Sequence, residues 1–251
     1  MARVDNRPRV GISRCLLGDA VRYDGGHKRD SCLVEALGPY VEWVSVCPEV
    51  EVGMGTPREP IHLMTAGDGV TSGDASVRLI GVRSGADWTE AMHEWSGRRT
   101  RELARLSLCG YVLKADSPSC GLKDVRVTDG RNVMHTGRGL FAQALVDRIP
   151  NLPVEEETGL HDSRARANFV ERVVAYQHVR TFFGGRWTVS GLVAFHAEHG
   201  PQIVSHSPTA YNALGELVAG AKNVEPEELA AQYERAFMSA LGRTDPGARD
   251  L

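Results

Sequence analysis

The sequence predicts an α/β protein whose N-terminal, Rossmann-like domain holds a mostly parallel sheet and is followed by a smaller all-α domain. Over the first half of the chain, apolar runs typical of strands alternate with helical patterns, which is the arrangement of an α/β unit. Strand signals stop near residue 163, where apolar residues begin to recur at helical spacing. We therefore expect domains over residues 1–158 and 159–251, with the boundary in the polar run around 156–165.

The elements follow in chain order. Strands are predicted over Arg9–Ser13, Val41–Val46, Val77–Val82, Gly110–Leu113 and Leu152–Val154. Helices of the first half are predicted over Ser31–Leu37 with Asp30 as its cap, from Asp87 to about Leu106, and from the Gly137–Gly139 turn to about Ile149. In the second half, Ser207-Pro208 and Glu225-Pro226 each place a proline at the first position of a predicted helix.

The composition is that of an ordinary globular protein. Of the 251 residues, 42% are hydrophobic and 24% charged, and the formal net charge is −3. The N-terminal residues contain no apolar signal region, and no later run is long enough to span a membrane. We therefore expect a cytoplasmic protein without a membrane partner, in which the five cysteines are reduced thiols rather than disulfides.

Three of the cysteines follow predicted strands. Cys15 comes two residues after the first strand, Cys47 directly after the second, and Cys120 at the end of the loop after GYVL. Because the carboxyl ends of parallel strands share one edge of a sheet, we expect these three residues to converge there. Cys109 precedes its strand and Cys32 lies within a helix, so both are predicted to be buried thiols of the core.

Three convergent thiolates allow more than one kind of site. They can bind zinc with one open position, or a cubane iron–sulfur cluster in which one iron lacks a protein ligand. A cysteine nucleophile is a third possibility, although no paired base stands nearby in the sequence. The spacing of the cysteines does not distinguish among these sites.

Several short motifs resemble one known family, the thiouracil desulfidase (TudS) family, over about residues 9–150. These motifs are Ser13–Gly18 (SRCLLG), Val21–Gly25 (VRYDG), Cys47–Glu49 (CPE), Thr56–Arg58 (TPR) and Ser117–Gly121 (SPSCG). The helical half, with FHAEH and HSP, resembles a helical domain of unknown function that is often fused behind that family. Compared with that domain, the helical half is expected to be shortened, and Gly200 stands where a basic residue is expected.

The resemblance implies a cofactor and a reaction. The cofactor is a [4Fe–4S] cluster held by Cys15, Cys47 and Cys120, with one iron not ligated by protein. The two-domain arrangement resembles the RudS group, which removes sulfur from 4-thiouridine in tRNA. Family roles in catalysis carry over to Glu49 and Ser117. The expected partner is therefore a thiolated uracil, within tRNA.

We expect a hydrolytic reaction that changes no oxidation state. Water activated by Glu49 as general base would attack the thiocarbonyl carbon, and sulfide would be released. Ser117 would carry a proton or position the water. Weaker candidates for substrate contacts are Ser13, Tyr23, Lys114, Gly137 and Gly139.

Three of these weaker candidates also have a simple structural interpretation. Lys114 can stabilise developing negative charge, but a surface or ion-paired lysine is the more common case. Gly137 and Gly139 can offer free backbone N–H groups to a uracil carbonyl or a phosphate, or can form a plain tight turn.

Other features suggest alternatives. His196, His199 and His206 have spacings compatible with a metal site, but packing and hydrogen bonding are the more common roles of such histidines. The substrate can also be free thiouracil or thiouridine. A non-catalytic sensor holding zinc or a cluster is the alternative from a different class, and it would not need Glu49 beside the metal.

Overall fold

A computed structural model describes residues 7–65 and 77–242. The chain divides into two compact units, Met1–Arg166 and Ala167–Leu251. Within the described ranges, no helix combines the length and the apolar character needed to cross a membrane.

Eight strands and eight α-helices are present in the described part of the chain. The strands are β1 (Arg9–Ser13), β2 (Glu42–Val46), β3 (Ile61–Thr65), β4 (Val77–Gly81), β5 (Gly110–Leu113), β6 (Val125–Thr128), β7 (Val133–Gly137) and β8 (Val154–Glu156). The helices are α1 (Ser31–Leu37), α2 (Pro48–Glu51), α3 (Thr89–Arg105), α4 (Leu140–Arg148), α5 (Ser163–Gly184), α6 (Val189–His206), α7 (Pro208–Ala219) and α8 (Pro226–Leu241).

The first sheet is parallel throughout, with strand order β2-β1-β5-β8. Its centre is apolar, since Val10, Ile12 and Val112 are fully buried. Gly11 allows the Tyr111 ring to lie against β1, because a β-carbon at Gly11 would be 2.1 Å from that ring. The predicted fold class is confirmed, and all four strands of this sheet end at a common edge.

A second sheet of order β4-β3-β6-β7 was not predicted. The sequence places Val77–Val82 in the mostly parallel sheet, but β4 instead pairs antiparallel with β3 in this second sheet. The prediction failed because β3, β6 and β7 are short and only partly buried. β7 is mostly exposed along its length, so it shows no alternation of apolar and polar residues.

Local sequence signals account well for the helix starts. Asp30 caps α1, because its carboxylate accepts a hydrogen bond of 2.9 Å from the Leu33 N–H. Pro208 and Pro226 occupy first positions of α7 and α8, as predicted. The described part of the second unit contains α6–α8 and all of α5 except its first four residues, and its core includes the buried Tyr233 and Phe237.

Candidate functional site

A recess of about 470 Å³ lies at the carboxyl edge of the first sheet. It is built from the segments that follow β1, β2 and β5, together with the approach to β3. Seven of the ten predicted site residues line it: Cys15, Tyr23, Cys47, Glu49, Lys114, Ser117 and Cys120. The convergence predicted from parallel strands is therefore observed.

The chain turns immediately after each strand that delivers a cysteine. Cys15 lies in a single 3-10 turn over Arg14–Leu17 that follows β1. Cys47 precedes the first turn of α2, and Pro48 begins that helix. The short helix explains why Glu49 is held close to Cys47, whose thiol donates to the Glu49 carboxylate at 3.4 Å.

The loop that carries Cys120 is tied to the start of α4. The Ser117 hydroxyl oxygen accepts the Cys120 N–H at 3.0 Å, which closes a tight turn. The Ser119 carbonyl accepts N–H groups from Phe141 and Ala142, in the first turn of α4. The otherwise unpaired donors of this helix end therefore position the cysteine loop.

This arrangement changes the interpretation of the two glycines before α4. The expectation of a free N–H is wrong for Gly139, because that group donates to the Gly121 carbonyl at 2.8 Å. A β-carbon at Gly139 would lie 2.4 Å from the Ser119 backbone, and one at Gly137 would lie 2.5 Å from Val127. Both glycines permit close packing, and neither lines the recess.

Glu49 is buried and is held by an arginine. The Arg58 Nη2 lies 3.8 Å from the Glu49 Oε2. The other end of the Arg58 fork is fixed, because Nη1 donates to the carbonyls of Val21 at 2.8 Å and Gly55 at 3.1 Å. Arg58 was missed as a site residue, although it belongs to the TPR motif, because nothing in the sequence links it to Glu49.

Burial dominates the electrostatics of the three thiols. Desolvation, followed by the nearby Glu49 carboxylate, raises the pKa of Cys15 to about 11 and that of Cys47 to about 12. The same causes raise the pKa of Cys120 well above its ordinary value, while a hydrogen bond with Ser13 opposes them. Without a bound cation the three sulfurs therefore remain thiols at neutral pH.

Ser13 and Lys114 are hydrogen-bonded to each other next to the recess. Ser13 is buried, does not line the recess, and accepts the Lys114 N–H on its hydroxyl oxygen at 2.9 Å. The Lys114 ammonium donates to the buried Glu157 carboxylate and to the Ala115 carbonyl at 2.9 Å. Lys114 is thus ion-paired, the more common of its two predicted roles, although part of it lines the recess.

The recess is lined by more positive than negative side chains, which the net charge of the chain does not suggest. Two carboxylates, Glu49 and Asp116, line it. Six basic residues line it as well: Arg14, Arg22, Lys28, Arg58, Lys114 and Arg126. Tyr23 is exposed at its border, with the Arg22 guanidinium 5.2 Å from the centre of its ring.

The two remaining cysteines lie outside the recess. Cys109 is buried, as predicted. The prediction of a buried Cys32 is wrong, since Cys32 is exposed on α1 while Leu33 and Leu37 form the buried face of that helix.

The residues of the recess fit an iron–sulfur cluster. Cys15, Cys47 and Cys120 line one recess, and cysteine thiolates are the usual protein ligands of such clusters. Within residues 7–65 and 77–242, no three His, Cys, Asp or Glu side chains are grouped closely enough to hold a single metal ion.

Comparisons with known proteins match both halves of the chain. Residues 10–157 match a family model described as 2-thiouracil desulfurase, and residues 202–247 match a model described as a protein of unknown function, DUF1722. The chain is 33% identical over 111 residues to the uncharacterized protein YbbK of Bacillus subtilis (strain 168), covering 44% of this chain and 71% of that protein. It is similar to a solved [4Fe–4S]-dependent thiouracil desulfidase, TudS, with 31% identity, coverage of 62% of this chain and 94% of the other, and a TM-score of 0.47.

Proposed function

The chain belongs to the 2-thiouracil desulfurase family, and we propose that it is a [4Fe–4S]-dependent desulfidase acting on a thiolated uracil. The observation that carries this proposal is the meeting of Cys15, Cys47 and Cys120 with Glu49 in one recess. The reaction is hydrolytic: water adds to the thiocarbonyl carbon, the C–S bond breaks, and the products are uracil and hydrogen sulfide. Atoms and electrons balance without an electron donor.

Cys15, Cys47 and Cys120 would hold the cluster, leaving one iron not ligated by protein. When bound, such a cluster supplies a thiophilic Lewis acid for the thiocarbonyl sulfur. Cys47 and Cys120 are buried and Cys15 is half-buried, and the Cys120 loop is fixed against α4. Loss of the three thiol protons must accompany assembly, because thiolates are the ligands.

Glu49 is the general base in this proposal. Its carboxylate lines the recess, and Arg58 and the Cys47 thiol restrict its position. A base held in this way can remove a proton from a water molecule on the thiocarbonyl carbon. Arg58 acts as a positioning residue, since its own fork is anchored on two backbone carbonyls.

Ser117, which also lines the recess, would donate a proton or orient the attacking water. Its oxygen already accepts the Cys120 N–H, so its hydroxyl hydrogen remains able to donate. A donor there can protonate the departing sulfur or orient the attacking water. Removing the hydroxyl would also loosen the turn that carries Cys120.

We further propose that the natural substrate is 4-thiouridine within tRNA. This proposal rests on the helical half and not on charge, because four of the six basic side chains of the recess pair with carboxylates: Arg14 with Asp19, Arg22 with Asp24, Arg58 with Glu49 and Lys114 with Glu157. The helical half resembles the domain of the tRNA-directed RudS group. Free thiouracil or thiouridine is the alternative substrate for the same chemistry.

The decisive assay uses anaerobically reconstituted full-length protein, with iron and sulfide counted per chain. Thiolated tRNA and free 4-thiouridine are supplied in parallel, and released sulfide and the uridine product are measured. We expect both products in equal amounts and a higher kcat/KM on tRNA. A fully loaded protein that converts neither substrate would contradict the enzymatic function and favour a non-catalytic cluster-binding module.

The Glu49→Gln substitution tests the assigned base. Glutamine has nearly the shape of glutamate and still accepts hydrogen bonds, so the cluster content should be unchanged. Because glutamine is not a base, kcat should fall about 10²- to 10⁴-fold. Glu35→Gln, which removes an exposed carboxylate on α1, serves as the control and should behave as wild type. Near-normal turnover by a loaded Glu49→Gln protein would exclude Glu49 as the base.

A further inference from the structure

A second cavity, of about 490 Å³, adjoins the recess. Arg58 and Ile61 line both cavities, so the two cavities are neighbours. The size lies within the range of about 300–1,000 Å³ found for small-molecule sites. We refer to this space, lined by Met54, Arg58, Glu59, Ile61, Arg83, Ser84 and Trp88, as the side cavity.

The lining of the side cavity combines an aromatic ring with positive charge. Trp88 is partly exposed there, beside the apolar side chains of Met54 and Ile61. Arg83 lines the cavity beside the single carboxylate Glu59, while the Arg58 guanidinium is paired with Glu49 of the recess. An aromatic surface next to an arginine is the combination that binds a nucleobase together with its phosphate.

The carboxylate in the side cavity is already engaged. Glu59 accepts the N–H groups of Arg83 at 2.7 Å and Ser84 at 3.0 Å, and it also accepts the Ser84 hydroxyl. These bonds, the Ser84 hydroxyl first, lower the pKa of Glu59. Glu59 thus fixes the turn that carries Arg83 instead of offering free acceptors to a ligand.

We propose that the side cavity binds the nucleotide next to the thiolated uridine in an RNA chain. The neighbouring base would stack on Trp88, and Arg83 would neutralise a phosphate. This inference rests on the proposed function, because it assumes that the recess holds the thiolated uracil. It adds a specificity site that favours a polynucleotide over a free nucleoside.

The test compares two substrates on anaerobically reconstituted full-length protein. One is the nucleoside 4-thiouridine, and the other is a trinucleotide with 4-thiouridine in the middle. The variants are Trp88→Ala, Trp88→Phe and Arg83→Glu. The control is Arg131→Glu, at the exposed turn between β6 and β7, which lines neither cavity.

We expect Trp88→Ala to lower kcat/KM on the trinucleotide about five- to 100-fold relative to the nucleoside, the range for loss of one stacked base. Trp88→Phe should restore most of this loss, because phenylalanine also stacks. Arg83→Glu should lower trinucleotide activity and reduce the dependence of log kcat/KM on log salt by about one. The Arg131→Glu control should keep the wild-type ratio between the two substrates.

The outcomes separate this inference from the proposed function. If wild type converts both substrates but Trp88→Ala and Arg83→Glu leave their ratio unchanged, the side-cavity inference is wrong and the desulfidase function stands. An equal loss on both substrates would also overturn it, since the side cavity would then act on the target uracil or on the fold. If loaded wild type converts neither substrate, the proposed function itself fails. If Trp88→Ala does not fold, the inference is decided by Arg83→Glu, from its ratio of kcat/KM on the two substrates and from its salt dependence.

Discussion

Two groups of metal-capable side chains in this molecule have opposite surroundings: the cysteines of the recess and the histidines of α6. His196 stacks on Tyr211, with ring centres 4.7 Å apart, and hydrogen-bonds to the Tyr233 hydroxyl at 3.1 Å. His199 packs against Phe195 at 4.4 Å and hydrogen-bonds to Gln202 at 2.9 Å. The predicted packing and hydrogen-bonding role of these histidines is confirmed.

The three cysteines line the recess instead of packing among aromatic rings. The Cys47 thiol contacts Glu49 at 3.4 Å and the Val21 carbonyl at 3.9 Å, and Glu49 is a charged group of the same recess. His206, by contrast, pairs with Glu171 at 3.0 Å inside the helical unit. The comparison teaches that histidines with metal-compatible spacing can be fully engaged in packing and hydrogen bonds, while the three cysteines line a recess that a ligand can enter.

The largest effect should come from substituting a cysteine of the recess. Cys47→Ser should abolish both cluster binding and desulfurisation, because a cluster depends on thiolate ligands. Iron and acid-labile sulfide per chain, measured after anaerobic reconstitution, check this. Cys32→Ser is the matched control, since Cys32 is exposed on α1, and it should retain both. Full iron content in Cys47→Ser would refute the ligand assignment.

A pair of glycine substitutions should give the next largest effect. In Gly139→Ala the new β-carbon would lie 2.4 Å from the Ser119 backbone, so the Cys120 loop must move. We expect a loss of about 3 kcal/mol in unfolding free energy, at the upper end for overpacking, together with reduced iron content. In Gly200→Ala the contact is a movable side chain, Tyr211, at 3.1 Å.

Gly200→Ala should therefore change stability by less than about 1 kcal/mol and leave iron content unchanged. Denaturant unfolding and iron analysis of both variants provide the measurement. Equal iron content in the two variants would show that the packing of α4 does not position the Cys120 loop.

The smallest effect is a difference in pH dependence between the two groups. In metal-free protein the pKa of Cys15, about 11, and that of Cys47, about 12, exceed the unfolded value of 9.0 because of burial. Their contribution to stability is therefore complete below pH 9 and is lost as pH rises through the folded values. By pH 10.5 the titration of each thiol should lower the unfolding free energy by about 2 kcal/mol.

The histidine group should respond at the acid side instead. Burial lowers the pKa of His196, so its contribution is present above its unfolded pKa of 6.5 and is lost as pH falls below that value. Urea unfolding across pH 5–10.5 measures both responses. Cys47→Ser should reduce the loss of unfolding free energy above pH 9 and leave the loss below pH 6.5 unchanged. If the loss above pH 9 were the same as in wild type, the burial of this thiol would be contradicted.

The sequence was most informative where one local rule decides the structure. Parallel strands put Cys15, Cys47 and Cys120 at one edge. Asp30, Pro208 and Pro226 marked helix starts correctly, whereas the helix predicted from Asp87 begins at Thr89. It was least informative for β3 and β7, which show no clear alternation of buried and exposed residues, and for β6, whose alternating pattern covers only four residues. It also misplaced Cys32, because a cysteine within a helix can face either side.

The sequence by itself determined the fold class, the edge at which the cysteines meet and the closeness of Glu49 to Cys47, since these follow from strand direction and from a spacing of two residues. The tertiary structure alone decided that Arg58 holds Glu49, that Gly139 packs on the Cys120 loop, and that Trp88 and Arg83 line a side cavity. These relations join residues that do not share a helix or a strand. They depend on tertiary packing, which no local pattern records.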